Sequence, residues 1–240
     1  MVIGLSSPFC YYIGMANVES TLDDGLTAKG RATRFRIVTT AASLMFERGV
    51  AGTSLDDVKA AAGVSSSQLY HYFVDKGALV SAVIAYQTEA VLEGQQPLLA
   101  NLDSISALKA WRNVLIGFRR ELRCRGGCPI GSLASELAEA DGKARVELAT
   151  GFRRWEESIR SGLRSMQARG DLTPNANPDN LATALLATVQ GGILLTQIQR
   201  QTRPMEIAVD TMIDHIESFV PQTLMQRGRR LPRKSRASRA

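Results

Sequence analysis

Four consecutive polar residues, Ser65–Gln68, follow directly on an Ala-Ala-Gly-Val stretch. Their hydroxyl and carboxamide groups can bond to base edges and to phosphate oxygens, and Gln68 is suited to pairing with adenine in the major groove. Tyr70, His71 and Lys76 follow, and they supply hydroxyl groups and positive charge for a phosphate backbone. The candidate contacts to double-stranded DNA are Thr53, Ser54, Ser65, Ser66, Ser67, Gln68, Tyr70, His71 and Lys76.

Two short helices and a tight turn are needed to hold these side chains. The pattern predicts one helix at Leu55–Ala62, capped by the Thr or Ser before it, and a second at Ser66–Phe73. The serine that precedes the second helix and Gln68 have the spacing of a capping box, and Gly63 can adopt the positive φ that the turn requires. This is the pattern of a helix-turn-helix, whose second helix enters the major groove with its N-terminal residues leading.

The rest of the chain also has the pattern of helices. Two long proline-free stretches, Phe9–Gln96 and Ile130–Thr173, are rich in Ala, Leu, Arg and Glu, whereas no run alternates Val, Ile and Thr as a strand would. The predicted fold class is therefore all-α. The remaining predicted helices are Ala28–Arg48, Lys76–Leu92, Ser104–Arg123, Gly131–Glu139, Gly142–Arg169, Pro178–Gln201 and Pro204–Phe219.

Positive charge is concentrated in two places. The formal charge is +6, but residues 227–240 carry seven basic residues and no acid, so removing those seven charges leaves −1 on the rest of the chain. Within residues 28–76, seven basic residues exceed four acidic ones by three. The basic tail has no apolar face and is predicted to be disordered. At the other end of the chain, either the N-terminus is disordered or translation starts at Met15.

Composition and motifs exclude several classes of protein. The apolar fraction of 45% and the charged fraction of 22% are ordinary for a globular protein. Three cysteines and no signal-peptide pattern predict a cytoplasmic protein. The apolar segment Leu181–Leu195 is interrupted by Gln190 and two glycines, so no membrane span is predicted. No nucleotide-binding, metalloprotease or serine-hydrolase motif is present, so we predict neither an enzyme, nor a cofactor, nor a metal site.

Aromatic side chains recur at helical spacing in two of the later helices. Trp111, Phe118, Phe152 and Trp155 either belong to the core or line a pocket. Cys128 lies between these two helices in sequence. It is either a small, half-buried residue or, with two arginines nearby, a thiol of lowered pKa that senses electrophiles or oxidants. These five residues are the candidate ligand pocket.

A pair of adjacent glycines interrupts an apolar helix near the C-terminus. Glycine inside a helix is destabilising, and the usual reason for keeping it is the close approach of another helix or of a ligand. We therefore predict that the last two helices form the surface of a homodimer. The candidate interface residues are Leu185, Gly191, Gly192, Leu195 and Met212.

The segment Gly49–Lys76 resembles the DNA-binding domain of TetR-type bacterial transcriptional regulators. The resemblance spans about Arg31–Val83 and includes a Gly-Thr-Ser cap, an Ala-Gly-Val-Ser turn, a Leu-Tyr-His-Tyr-Phe recognition helix and the lysine that follows it. A second segment, Gly127–Glu136, resembles one found in a subset of these regulators. Two departures are Lys59, where a small apolar residue is usual, and the glycine after Lys76, where an acid is common.

The resemblance implies about nine helices, a homodimer that binds an operator, and a ligand pocket in a larger C-terminal domain. It also implies that Tyr70 and Lys76 touch phosphates while Ser66–Gln68 face bases. We therefore expect a repressor that a small molecule, apolar or aromatic because few charges lie on the pocket stripes, releases from a palindromic operator. The alternatives are a thiol-based sensor acting through Cys128 and a non-specific architectural DNA-binding protein. The predicted divisions are a leader at 1–27, a helix-turn-helix domain at 28–75, a ligand-binding and dimerisation domain at 76–220, and a basic tail at 221–240.

Overall fold

The computed structural model describes residues 25–221, and the predicted leader and tail lie almost entirely outside this range. The described residues form nine α-helices and a short 3-10 helix at Leu99–Asn101, with no strand among them. The all-α prediction is therefore confirmed. The helices are α1 (Ala28–Arg48), α2 (Leu55–Ala62), α3 (Ser66–Tyr72), α4 (Lys76–Glu93), α5 (Ile105–Glu121), α6 (Pro129–Leu137), α7 (Gly142–Ala168), α8 (Pro178–Gln199) and α9 (Arg203–Glu217).

Local capping chemistry determines where the two helices of the helix-turn-helix begin and end. Ser54 caps α2 in a capping box with Asp57, and its hydrogen bonds hold the pKa of the Asp57 carboxyl below its usual value. Ser65 caps α3 in the same way with Gln68, as its spacing predicts. Gly63 ends α2 with φ 62° and ψ 43°, a left-handed conformation that glycine adopts without a steric penalty.

The largest difference from the predicted boundaries is in α6. The predicted helix Gly131–Glu139 begins two residues earlier, because Pro129 occupies its first turn and Cys128 is its N-cap. Proline suits this position because its φ is already helical and its missing N–H would have no partner there. At the other extreme, α1 and α2 have the predicted bounds. Helix α8 ends at Gln199, since Arg200 adopts the left-handed conformation.

One continuous hydrophobic core runs through all nine helices. Helix α1 packs against α2 and α4, and α4 in turn packs against α7 and α6. Helix α8 packs against α7 and α9, and α9 also packs against α5. Helices α4 and α6 therefore lie between the helix-turn-helix and the helices that follow. The C-terminal part of the core is built around the fully buried side chains of Trp111 and Trp155.

Helix α8 is more apolar than the sequence analysis allowed. By length and composition alone it is one candidate for crossing a membrane among the described residues, contrary to the expectation for Leu181–Leu195. Core helices pass the same test, and α8 packs against both α7 and α9. In the most apolar 18-residue stretch of α8, only 44% is buried. This helix therefore presents apolar surface on the outside of the chain.

Candidate DNA interface and effector cavity

Helix α3 buries one side and presents the other to solvent. Leu69 and Phe73 are almost fully buried and fix the helix against the core. On the opposite side the exposed fraction of Tyr70 is 56%, and His71 is exposed as well. Ser65, Ser66, Ser67 and Gln68 are also exposed at its N-terminal end. The side chains predicted to contact DNA from α3 therefore share one solvent-facing surface, as insertion into a major groove requires.

The N-terminal cap of α3 already uses part of this surface. The Gln68 Oε1 accepts a hydrogen bond from the Ser65 backbone N–H at 2.9 Å, and the Ser65 hydroxyl accepts one from the Gln68 N–H at 3.1 Å. A bidentate contact with adenine needs both the oxygen and the nitrogen of a carboxamide. The cap orients the Gln68 carboxamide, whose oxygen has a second lone pair and whose NH₂ group makes no hydrogen bond among the described residues, so the predicted contact must be made from this orientation.

Thr53 is the one predicted DNA contact that the structure places inside the protein. Only 1% of this residue is exposed, and its hydroxyl donates to the Gly49 carbonyl at 2.8 Å. The predicted role of Thr53 is therefore corrected: its side chain closes the turn between α1 and α2. Ser54 is exposed at the N-terminus of α2, where it forms the cap.

Two charged side chains from different helices hold the peptide groups of the α1–α2 turn. The Lys76 Nζ, at the start of α4, donates to the Val50 carbonyl at 2.6 Å. The Glu136 carboxylate, near the end of α6, accepts from the Val50 N–H at 2.8 Å and from the Ala51 N–H at 2.7 Å. Lys76, predicted as a phosphate contact, thus also fixes the turn that leads into α2. Through Glu136, α6 is bonded directly to the helix-turn-helix.

The residues predicted to line a ligand pocket are divided between two adjoining spaces. Phe118, Cys128 and Trp155 line an inner cavity of about 20 Å³. Phe152 lines a more open groove of about 350 Å³, together with Cys128. Cys128 and Ile193 border both spaces, so the groove leads towards the cavity. The structure therefore brings four of the five predicted pocket residues together.

Trp111 is a core residue that does not line the cavity but contacts a residue that does. It is fully buried, and its Nε1 donates to the Gln95 Oε1 at 2.9 Å. The Gln95 Nε2 donates to the Val91 carbonyl at 2.6 Å, and Gln95 itself lines the cavity. Trp111 is therefore corrected from a pocket residue to one that positions a pocket residue. No helical pattern singles out Gln95, because it follows the end of α4.

Arg119 is the lining residue of greatest chemical interest that the sequence analysis missed. Only 2% of it is exposed, and its Nη1 lies 3.3 Å from the Gly126 carbonyl oxygen and 3.5 Å from that of Gly127. Burial lowers the pKa of its guanidinium, whereas the neighbouring Cys128 and Cys124 raise it. A signal was present, because Arg119 follows Trp111 and Leu115 at steps of four on the buried stripe of α5.

Cys128 lacks the environment of a reactive thiol. It is a buried free cysteine, and this burial raises the pKa of its thiol. Hydrogen bonds involving Gly131, Gln190 and Ile130, together with the charge of Arg119, oppose that rise only in part. Since the thiolate is the nucleophile, the predicted lowering of the pKa is corrected to a raised pKa, which disfavours reaction with electrophiles.

Four of the five predicted dimer residues lie on α8, where they fall on opposite sides of the helix. Leu185 is fully buried, and Gly192 packs so closely on α9 that an added Cβ would lie 3.0 Å from the Met205 Cγ. Both positions are therefore corrected to contacts within one chain. Gly191 is exposed with nothing within 4 Å of a Cβ, Leu195 is 45% exposed, and Met212 of α9 is partly buried.

An apolar face that includes Gly191 runs along the outside of α8. Five of its six exposed members recur at alternating steps of three and four residues, and Leu195 adjoins them, which places them on one side of the helix. Among the most exposed large apolar residues are Leu194 at 55% and Ile198 at 67%, with Ile207 of α9 at 53%. We call this surface the α8 face; it consists of Ala184, Ala187, Gly191, Leu194, Leu195 and Ile198. Within residues 25–221, no group of three or more His, Cys, Asp or Glu side chains is placed to hold a metal ion.

Comparisons with known proteins agree with this architecture. A family model described as bacterial regulatory proteins, tetR family, matches residues 37–83. A second, described as tetracyclin repressor-like, C-terminal domain, matches residues 104–212. Together they span the helix-turn-helix and most of the helices that surround the cavity.

Individual relatives are similar over most of their length. The HTH-type transcriptional repressor DhaR of Mycobacterium sp. (strain GP1) is 27% identical over 192 residues, which cover 79% of this chain and 93% of DhaR. The transcriptional regulator AcuR of Cereibacter sphaeroides is 29% identical over 185 residues, covering 74% of this chain and 80% of AcuR. The crystal structure of a TetR transcriptional regulator from Chloroflexus aurantiacus superposes with a TM-score of 0.71 at 29% identity, covering 81% of this chain and 98% of that one.

The two family models, the curated relatives and the solved structure all point to one family of regulators that are not enzymes. The exposed polar side of α3 lies within the first matched region, residues 37–83, and one serine caps each of α2 and α3. The chain belongs to the TetR family of bacterial DNA-binding transcriptional regulators.

Proposed function

We propose that this protein is a cytoplasmic repressor that binds a palindromic operator as a homodimer and is released by a small molecule. The exposed side chains of α3 would read the major groove, with Ser66 and Ser67 at the bases and Tyr70 at the phosphates. One recognition helix contacts only a few base pairs, so two copies are needed for a specific site. The relative DhaR, which is named a repressor, supports repression as the outcome of binding.

The observation that carries the proposal is the position of α6. Its N-cap, Cys128, borders both the inner cavity and the groove, and Gly131 and Ser132 in its first turn border the groove. Its last turn bears Glu136, which bonds to the Val50 and Ala51 N–H groups of the helix-turn-helix. One rigid helix of nine residues thus connects the cavity to the DNA-binding helices. A ligand that shifts α6 would change the position of α2 and α3, which is what release from an operator requires.

The α8 face supports the homodimer. Packing against α7 and α9 leaves it uncovered, although it is apolar along its whole length. Exposed apolar patches of this kind mark protein interfaces, and small residues such as Ala184, Ala187 and Gly191 let two helices approach closely. A second copy of the same chain would cover the face symmetrically, since a two-fold axis matches a surface with itself.

The contact between Glu136 and Val50 provides a test. In Glu136→Gln one carboxylate oxygen becomes an NH₂ group, which faces a backbone donor and cannot accept from it. Losing a hydrogen bond to a charged group costs about 1–3 kcal/mol, so we expect operator affinity to fall by roughly tenfold although residue 136 is not on the DNA-facing surface. Glu139→Gln is the matched control, because Glu139 is an exposed carboxylate just past the end of the same helix.

The measurement is fluorescence anisotropy with an operator duplex identified by genomic footprinting of the purified protein. A scrambled duplex of the same length gives the specificity ratio. Equal affinity of the native chain for the two duplexes would contradict the regulator proposal and favour the architectural alternative. An operator affinity of Glu136→Gln equal to that of Glu139→Gln would show that α6 does not control the helix-turn-helix.

A further inference from the structure

We infer that the groove of about 350 Å³ binds an uncharged small molecule that carries a hydroxyl group on an apolar frame. This inference rests on the proposed function, because it assigns a chemical class to the molecule that releases the DNA. It adds a hydrogen-bonding group to the apolar or aromatic molecule expected from the sequence. It also takes the groove, rather than the inner cavity, as the place where most of the molecule binds.

The lining of the groove is uncharged. It is formed by residues of α6 and α8, the loop before α6 and one residue of α7, and none of them is Asp, Glu, Lys, Arg or His. An ionised group that leaves water for such a surface loses its hydration and meets no opposite charge, which is costly. The lining therefore favours a ligand that is neutral at physiological pH.

Two side-chain oxygens lie beside the same residue of this lining, Gly127. A Cβ built on Gly127 would lie 2.9 Å from the Gln197 Oε1 and 3.3 Å from the Ser132 Oγ. All three residues line the groove. Because residue 127 has no side chain, the space beside its Cα is left between an oxygen from α6 and an oxygen from α8.

These polar groups are available to a ligand. The Ser132 hydroxyl and the Gln197 carboxamide make no hydrogen bond within the part of the chain that the structure describes. Gln190 adds a third oxygen, since its Oε1 would lie 3.2 Å from a Cβ on Gly131, another lining residue. The Gln190 Nε2 is enclosed by protein, so the oxygen is the end of this carboxamide that a ligand can reach.

The three oxygens determine which group the ligand must carry. A carboxamide oxygen only accepts, and a serine hydroxyl can accept as well, so the ligand has to supply a donor. An aliphatic amine donates but is charged at neutral pH, and ethers and ketones have no donor. A hydroxyl group donates to these oxygens without a charge, and its own oxygen can accept from the NH₂ group of Gln197.

The remainder of the lining is apolar and large enough for a small organic molecule. Phe152, Ile193 and Leu194 form part of it. Its volume of about 350 Å³ lies at the lower end of the range of roughly 300–1,000 Å³ that is usual for ligand sites. The hydroxyl group would bond beside Gly127, and the apolar frame would cover these three side chains.

Ser132 connects the groove to the DNA-binding helices. It lies four residues before Glu136 and therefore on the same face of α6, and both residues also border a smaller space against Gly49. A hydroxyl group bonded to Ser132 and Gln197 would change how α6 sits against α8. Since Glu136 accepts from the Val50 N–H, that change would reach the turn before α2.

Binding of matched compounds tests the chemical class. Saturation-transfer NMR would follow the native protein titrated with butanol, cyclohexanol and benzyl alcohol, and with the methyl ether and the amine that correspond to each. We expect at least one alcohol to bind saturably and its methyl ether to bind about tenfold more weakly, because the ether leaves the oxygens of the groove without a donor. If no alcohol binds, if an alcohol and its ether bind equally, or if the charged amine binds more tightly, the inference is overturned.

Variants locate the bound alcohol. Gln197→Leu and Ser132→Ala should each weaken the alcohol and not the ether, whereas Gln199→Leu should change neither, because Gln199 is exposed and outside the lining. Gly127→Ala places a methyl group 2.9 Å from the Gln197 Oε1, which this flexible side chain can avoid by turning aside. That variant should fold, as circular dichroism would check, and should also lose the preference for the alcohol. An unchanged preference in Gln197→Leu and Gly127→Ala would refute the assignment.

Operator binding distinguishes the two levels of the proposal. If an alcohol binds in the groove but leaves operator affinity unchanged, the alcohol site stands and release by this ligand fails. If a charged compound releases the operator while no alcohol binds, the proposed function stands and the inference about the groove fails. If an alcohol both binds and releases the operator, and Gln197→Leu abolishes both effects, the two levels are supported together.

Discussion

Helices α3 and α8 each present an exposed face with no partner among the described residues, but the two faces have opposite chemistry. The face of α3 carries hydroxyl, carboxamide and imidazole groups from Ser66 to His71. The α8 face carries only Ala, Gly, Leu and Ile. Polar groups lose little by facing water, whereas an apolar face of this length is stabilised only when another surface covers it. The difference fits the two roles proposed above, a polar partner that binds α3 reversibly and a permanent apolar partner for the α8 face.

The two faces also differ in what holds them rigid. Helix α3 has seven residues and depends on its capping box, on Leu69 and on Phe73. Helix α8 has 22 residues and packs on two other helices. Helix α3 follows α2, and α2 follows the turn in which Lys76 and Glu136 hold Val50, so a small shift of that turn can move both short helices. The α8 face is better suited to a fixed interface.

The largest expected effect is on the α8 face. Ile198→Glu should place a carboxylate in the proposed dimer interface, where burying an unpaired charge costs about 3 kcal/mol or more. Dimer affinity should fall by at least about 100-fold, and operator binding should fall with it. Sedimentation and anisotropy measure the two losses. Val146→Glu is the control, because Val146 is a similarly exposed apolar residue on α7, outside the face. A dimer that survives Ile198→Glu would require another interface.

An intermediate effect separates the two adjacent glycines. In Gly192→Ala the new Cβ would meet Met205 at 3.0 Å from Cγ and 3.1 Å from Cα, so α8 and α9 must separate. We expect a loss of about 1–3 kcal/mol in the free energy of unfolding, measured by urea denaturation. Gly191→Ala has open space within the chain and should instead stabilise the helix by up to about 1 kcal/mol. If that variant weakens the dimer, a partner helix must approach closely at Gly191.

The smallest expected effect is on the α3 face. Tyr70→Phe removes a hydroxyl proposed to contact a phosphate, and an exposed ring can lose it without disturbing the helix. Affinity for operator and for scrambled duplex should fall by a similar factor of about five, because a phosphate contact carries no sequence information. Ser67→Ala should instead change the preference among base sequences. If Tyr70→Phe lowers only operator affinity, Tyr70 reads a base rather than the backbone.

Much of the DNA-binding unit could be predicted because its determinants are local. The cap of α3 depends on two residues three positions apart, and the turn depends on Gly63. Sequence patterns therefore predicted α2 with its observed bounds and α3 within one residue. Thr53 could not be assigned in this way, since serine and threonine both suit a cap and only the fold shows which hydroxyl is buried.

The sequence by itself determined the all-α class, the capping box of α3 and its exposed polar side, because these depend on residues within one turn of each other. Only the tertiary structure decided that Gly191 faces outwards while Gly192 faces α9, since the two glycines are chemically identical. It alone joined Glu136 to Val50 across 86 positions and placed Arg119 beside the cavity. Helix α8 is apolar on more than one side, so its own pattern does not show which side packs within the chain, and that depends on how distant segments pack.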